Sequence, residues 1–206
     1  ANGNDHEISS NELVQSPTGF DGFDFDTKLI TNLTNDQTIT LAYQFAKQKE
    51  VPRYDKYHYG GFHRWFYHPQ DRMLTYAVYE NKEINIIFDA IRATASFHFQ
   101  KEGRETQKNE SSSIQKELDE VATKGFSISG IREKGRHQIV AGAELYHDDV
   151  ESKRSYSDVL TGNITDEDRG RYPDDAKYLS IGLYLQNEMK ITDRWMLKLG
   201  IRQSQY

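Results

Sequence analysis

Cysteine is absent from the 206 residues, which removes disulfides, thiolate metal centres and thiol nucleophiles from the chemistry open to this chain. No apolar run approaches the roughly 18 residues that a membrane-spanning helix requires, and no stretch reads as a cleavable targeting segment. Apolar residues are scarce, at 36% of the chain with a mean hydropathy of −0.83, against about 45% in an ordinary soluble domain. A basic excess is missing too. The formal net charge is −6, and Lys and Arg are scattered through loops and polar faces without forming a stripe, so nucleic acid is excluded as a partner. The sequence contains no nucleophile elbow, zinc-protease helix or phosphate-cradling glycine loop. It reads as a non-enzyme, with no catalytic residue, metal site or cofactor assigned.

What is present is alternation. Seven segments carry apolar residues at the two-residue period of a strand: Ile39, Leu41, Tyr43 and Phe45; Leu74, Tyr76 and Val78; Ile91, Ala93, Ala95, Phe97 and Phe99; Phe126 and Ile128; Ile139, Ala141, Ala143 and Leu145; Leu179, Ile181, Leu183 and Leu185; Trp195, Leu197, Leu199 and Ile201. A weaker eighth strand at 23–33 precedes them. The connections 34–37, 81–88, 133–136 and 190–194 are hairpin-sized. Those at 49–70, 102–124 and 148–177 far exceed the usual loop of about 4 to 6 residues. Because antiparallel strands reverse direction, all short turns fall on one edge of the sheet and all long loops on the other, the layout of an up-and-down transmembrane barrel. Low hydropathy is compatible with that, since a spanning strand needs only about 9 to 11 residues and alternate ones alone touch lipid.

The opposite strand faces are polar, and Gln44, Arg92, Glu144, Tyr184, Gln186 and Arg202 are assigned to a water-filled lumen. A soluble secreted barrel binding a small molecule or carbohydrate inside its apolar face is the alternative, and periodicity does not separate the two. Two considerations favour the membrane. Tyr43, Phe45, Phe97 and Phe99 lie near the long-loop ends of their strands and Trp195 near the short-turn end, as interfacial girdles require. The polar faces are also rich in Ala, Gly, Ser and Thr, too small to fill an eight-stranded barrel, so a wider parent barrel is expected to supply the strands that pair the two open edges.

Residues 178–206, YLSIGLYLQNEMKITDRWMLKLGIRQSQY, resemble the barrel hairpin of TonB-dependent outer-membrane receptors, in which a "GlYlQ(D/N)E" strand, a short turn and a "W.L..G.R.s.Y" strand follow one another. Residues 22–55, GFDFDTKLITNLTNDQTITLAYQFAKQKEVPRYD, and 70–107, QDRMLTYAVYENKEINIIFDAIRATASFHFQKEGRETQ, are similar to earlier hairpins of the same family. The resemblance implies an all-β fold, about eight strands of a 22-stranded barrel with long extracellular loops, in a Gram-negative outer membrane. Residues 1–206 would be part of the barrel domain, with 1–22 a preceding loop or strand end and no plug. It also implies outer-membrane lipid around the barrel, import of a scarce nutrient such as an iron chelate (siderophore or haem), and coupling to TonB through N-terminal parts outside this sequence.

The loops carry the remaining chemistry. Residues 54–68, YDKYHYGGFHRWFYH, are dense in rings. Tyr57, Tyr59, Trp65 and Tyr67 could present flat surfaces to a planar chelate, and His58, His63 or His68 could ligate iron, as His and Tyr do in haem proteins. Equally, these rings could pack the loop on its neighbours, and the spacing of the three histidines matches no standard ligand pattern. Acidic residues gather at Asp148, Asp149 and Glu151, at Asp166, Glu167 and Asp168, and at Asp174 and Asp175, without EF-hand spacing. In the second loop, Ile114, Leu118 and Val121 ahead of Gly125 predict a short lid-like helix. Sequons at Asn32, Asn109 and Asn163 are discounted, since one or two such matches arise by chance and Asn32 falls beside a tight turn.

Overall fold

The computed structural model describes residues 5–7, 14–84 and 87–206. Eight long strands follow one another: β1 (Asp21–Asn32), β2 (Gln37–Lys49), β3 (Phe62–Asn81), β4 (Ala90–Lys108), β5 (Ser113–Lys134), β6 (His137–Asp158), β7 (Ala176–Lys190) and β8 (Met196–Gln205). Each pairs antiparallel with its sequence neighbours, so the order across the sheet is the order along the chain. Val51–Pro52 adds to β3 and Ile164–Asp166 to β6, while His6–Glu7 pairs with Val14–Gln15. Helix α1 (Tyr54–His58) is a single turn between β2 and β3. The fold is all-β, and β1 and β8 are its two open edges.

All eight alternating segments form strands in the expected order. Residues 85–86 of the expected turn 81–88, and 1–4 and 8–13 of the expected lead-in 1–22, lie outside the described residues. The long connections are a different matter. Residues 102–124 form no long loop and no lid helix: β4 and β5 stay paired without a break from Ala90↔Ile131 to Thr106↔Gln115, and only the short turn 109–112 joins them. The spacing of Ile114, Leu118 and Val121 satisfies a helix on paper, but the ladder puts Leu118 opposite Gly103 and Val121 opposite Gln100, on opposite faces. Cross-strand ion pairs Lys101–Glu120, Lys116–Glu105 and Arg104–Glu117 hold the strand instead, and a helix here would strip the partners from β4 and β6. Much of 49–70 and 148–177 is likewise strand, in β3 and β6.

Directly paired residues share a face, so the register sorts every side chain. One face carries Phe25, Leu29, Ile39, Leu41, Tyr43, Phe45, Phe97, Phe99, Ile128, Leu145, Ile181, Leu183, Leu199 and Ile201. Leu74, Tyr76 and Val78 do not join it. They pair with Gln44, Ala42 and Thr40 on one side and His98, Ser96 and Thr94 on the other, so they belong to the polar face; Met73, Thr75, Ala77 and Tyr79 make the apolar face of β3. Alternation in β3 is ambiguous because both of its faces are apolar there, and only the neighbours choose.

No second layer covers the apolar face among the described residues: Leu183 is 56% exposed and Leu199 62%. On β6 this face is uncharged from Ile139 to Leu145, between His137 and His147, about ten residues or about 25 Å at a barrel strand's tilt. Beyond it the same face turns charged, with Lys47 paired to Asp71 and Lys124 to Asp149. β3 to β6, at 19 to 22 residues each, therefore run well past the apolar band. Two register shifts interrupt this extension in β3, the first between Phe62 and Arg64 and the second between Tyr67 and Gln70. At the second the His68 carbonyl lies against Gly103, where a Cβ would overlap it, so glycine permits the bulge.

Candidate ligand-binding face

Register places all six residues assigned to a lumen on the polar face. Arg92 pairs with Glu80 at 3.3 Å, Arg202 bonds Glu144, and Gln186 donates to Glu188 at 3.0 Å. Gln44 sits between Asp26 and Leu74. Tyr184 lies across Gly142, its paired residue, where any side chain would collide with the ring; the small residues of this face are beds for tyrosines as much as lining. Arg92 and Arg202 thus meet carboxylates on the same face, while both side chains stay more than half exposed.

The ring-rich segment is divided by its local structure. Tyr59 is 83% exposed at the end of α1, while His58 stacks on Tyr54 at 4.2 Å and its Nε2 meets the Ser16 carbonyl at 3.0 Å. Tyr57 is half-buried and His63 exposed, beside the first register shift of β3. Trp65, by contrast, is buried at 5% exposure. It meets Tyr67 edge-on at 4.9 Å, and the guanidinium groups of Arg53 and Arg104 lie 5.0 and 5.6 Å from its ring centroid. Arg53 is itself held by two 2.7 Å bonds to Asp55, so this ring makes two cation–π contacts, one of them with a fixed guanidinium. The Nδ1 of His68 is buried without a partner at the bulge. The three histidines do not converge, and no group of three or more metal-ligating side chains occurs among the described residues.

A polar core at the far end of the sheet escaped sequence reasoning. Glu117 is 4% exposed, bonded by Arg104 and by Arg154, whose Nε is 2.9 Å away. Burial alone would raise the Glu117 carboxyl, and the two guanidinium groups outweigh it, leaving its pKa below the ordinary value. Beside it, Ser152 is 1% exposed and donates to Asp119 at 2.6 Å, while its N–H donates to Asp174 at 2.9 Å. The Tyr172 N–H donates to Ser152 Oγ at 3.0 Å, and Arg171 reaches Glu102 at 2.9 Å and Asp119 at 3.3 Å. These contacts tie the segment before β7 onto the polar face. The available signal was the alternation Gln115, Glu117, Asp119, which reads as a strand face once the helical spacing is set aside.

Between this tie and the strands opens a recess of about 500 Å³, walled by Glu102, Asp119, Asp148, Arg171, Tyr172 and Tyr178, with His98 at its floor. The acidic residues of 148–177 are dispersed: Asp148 faces the recess, Asp149 turns to the other side with Lys124 and His147, and Asp174 holds Ser152.

Comparison with known proteins gives this architecture its relatives. The structure is similar to one titled "Copper transporter OprC", with a TM-score of 0.73 and 14% identity over 91% of this chain and 29% of that one. It is also similar to the ferric citrate transporter FecA in the unliganded form, with a TM-score of 0.64 and 14% identity over 92% of this chain and 30% of that one. At such identity these likenesses establish the fold, and the chain spans about three-tenths of the length of either protein. No curated protein sequence matches it. Residues 2–206 match the family described as "TonB dependent receptor-like, beta-barrel", and since that match takes in every strand of the sheet, the chain belongs to the TonB-dependent receptor β-barrel family.

Proposed function

We propose that residues 1–206 are a section of the barrel wall of an import receptor in a Gram-negative outer membrane. The observation that carries this reading is the pair of opposed faces. One is apolar, exposed and about as tall as a bilayer core; the other is polar, ion-paired and recessed at the end beyond the apolar band. Lipid fits the first, and a passage for a hydrophilic nutrient fits the second. The nutrient is a scarce metal chelate, with an iron siderophore or haem the first choice, and its uptake draws on TonB through other parts of the receptor. In this reading Tyr57, His58, Tyr59 and His63, on the accessible side of the ring-rich segment, contact the ligand, while Trp65, Tyr67 and His68 shape the wall behind them. Gln44, Arg92, Glu144, Tyr184, Gln186 and Arg202 line the passage.

The test is made on the complete receptor. Outer membranes should retain it, and cells dependent on it should lose chelate uptake when TonB is deleted. A receptor that stays monodisperse in detergent-free buffer and does not fractionate with outer membranes would defeat the reading. For the ring-rich segment, replacing His58, His63 and His68 together by Ala should weaken haem binding; unchanged affinity removes them from the site.

A further inference from the structure

We propose that residues 168–175 form a fixed constriction on the ligand's route, a strap folded across the polar face that sets an upper size for what passes. The proposal rests on that face being the route, and it concerns only the route's width. The edge of β6 shows how the strap arises. Ile164–Asp166 pair with β6 as far as Asp166↔Ser155, the Glu167 N–H donates to the Arg154 carbonyl at 2.9 Å, and pairing resumes at Ala176↔Val150. A continuous strand would pass residues 151–153 of β6 with three residues, whereas this chain uses eight. The surplus does not bulge away from the sheet. Gly170 is buried on Ser152, where a Cβ would overlap the hydroxyl, and the Tyr172 N–H and the Asp174 carboxylate close on the same serine. From there the Arg171 side chain extends over β5 to Asp119 and on to Glu102 of β4, a reach of about 10 Å at the usual strand spacing. The strap thus roofs the recess. Strand pairing pins it at both ends and a serine at 1% exposure pins its middle, so it has one seat and narrows the route at all times.

Because the chain has no cysteine, a single introduced thiol reports the width without knowledge of the ligand. Val121 lines the recess beneath the strap, and the register runs from it through Gln100 and Arg72 to Ala46 of β2, in the same row and three strands away. In the complete receptor in outer membranes, with any cysteine elsewhere replaced by serine, Val121→Cys and Ala46→Cys are each treated with N-ethylmaleimide and with tetramethylrhodamine maleimide, a reagent of chelate-like bulk. Every rate is taken relative to a free thiol. At Val121→Cys the bulky reagent should react about tenfold slower than the small one, the population cost of breaking one or two net hydrogen bonds to let it past. Replacing 168–175 by a three-residue glycine–serine link should remove that deficit at Val121→Cys and leave the ratio at Ala46→Cys unchanged. Arg171→Ala keeps the chain length, releases the tie to β4 and β5, and should recover the deficit severalfold; it decides the matter where the shortened receptor does not reach the membrane. Equal rates for the two reagents at Val121→Cys with the strap intact, a deficit that survives both changes, or an equal gain at Ala46→Cys would overturn the proposal. Membrane retention and TonB dependence are read separately, so a failure here sinks the constriction and leaves the receptor reading standing.

Discussion

The same strands pass through two regions that share a backbone and little else. Within the apolar band, side chains of β2 to β8 are uncharged outward except for Arg132 at its short-turn rim, which pairs with Asp89, and inward they alternate small residues with isolated pairs such as Glu144–Arg202. Beyond it, β3 to β6 carry charges on both faces, with Lys101–Glu120 outward and Glu117 and Asp119 buried inward between guanidinium groups. The ladder of backbone hydrogen bonds runs through without change because either surrounding requires each N–H and C=O to be paired. What changes is the source of side-chain stability. In the band it is the match of apolar surface to its surroundings; above it, ion pairs do the cross-linking that an apolar core would do in a thicker protein.

The strongest way to break this comparison is to move a charge across the boundary. Leu183→Arg, in the middle of the outward apolar face, should destabilise the folded receptor in lipid by about 2–4 kcal/mol. Lys153→Leu, on the outward face of the charged region and 67% exposed at its side chain, should stay within about 0.5 kcal/mol. Urea unfolding in lipid vesicles measures both, and similar costs at the two positions would erase the boundary.

Next in size is the buried triad. Glu117→Gln leaves Arg104 and Arg154 facing each other and should cost about 2–3 kcal/mol, below the figure for a fully buried pair because both arginines keep about a quarter of their side-chain exposure. Acid should mimic it. A carboxyl whose folded pKa is depressed contributes in full above its unfolded value, near pH 4.3, and loses that contribution as pH falls through the lowered pKa. Hydrogen-exchange protection along 113–119, corrected for the intrinsic pH dependence of exchange, should therefore fall below about pH 4 in the wild type and stay level with acid in Glu117→Gln.

A smaller effect is expected at the bulge. Gly103→Val drives a side chain into the His68 carbonyl and should cost about 1–3 kcal/mol, read as a lowered unfolding midpoint together with a change in Trp65 fluorescence. An unaltered Trp65 signal would mean that the bulge does not position that ring. Least is expected at the turn after β6, where Asp158 accepts from Ser112 Oγ and from the N–H groups of Leu160 and Thr161. These bonds hold its pKa to about 2. Asp158→Ala should leave global stability alone and speed exchange at the Leu160 and Thr161 amides; the same loosening should appear in the wild type as pH falls from about 4 towards 2.

Alternation settled a great deal in advance. Eight strands, their sequential antiparallel order and the sidedness of their connections follow from a period of two and from connection lengths, because those features depend on each segment by itself. Gln44, Glu144 and Arg202 were assignable to the polar face for the same reason. Only the assembled sheet decided the rest. Leu74 and Met73 are equally apolar, and their neighbours' register, not their own chemistry, put one inside and the other out. Ile114, Leu118 and Val121 fit a helix until β4 and β6 are there to demand partners. The Glu117 triad and the recess around Asp148 join residues dozens of positions apart, on strands whose charges look like ordinary solvated faces when read singly. A local period is written in neighbouring residues, whereas a pairing register and a buried charge are properties of chains laid side by side, and those exist only once the sheet has formed.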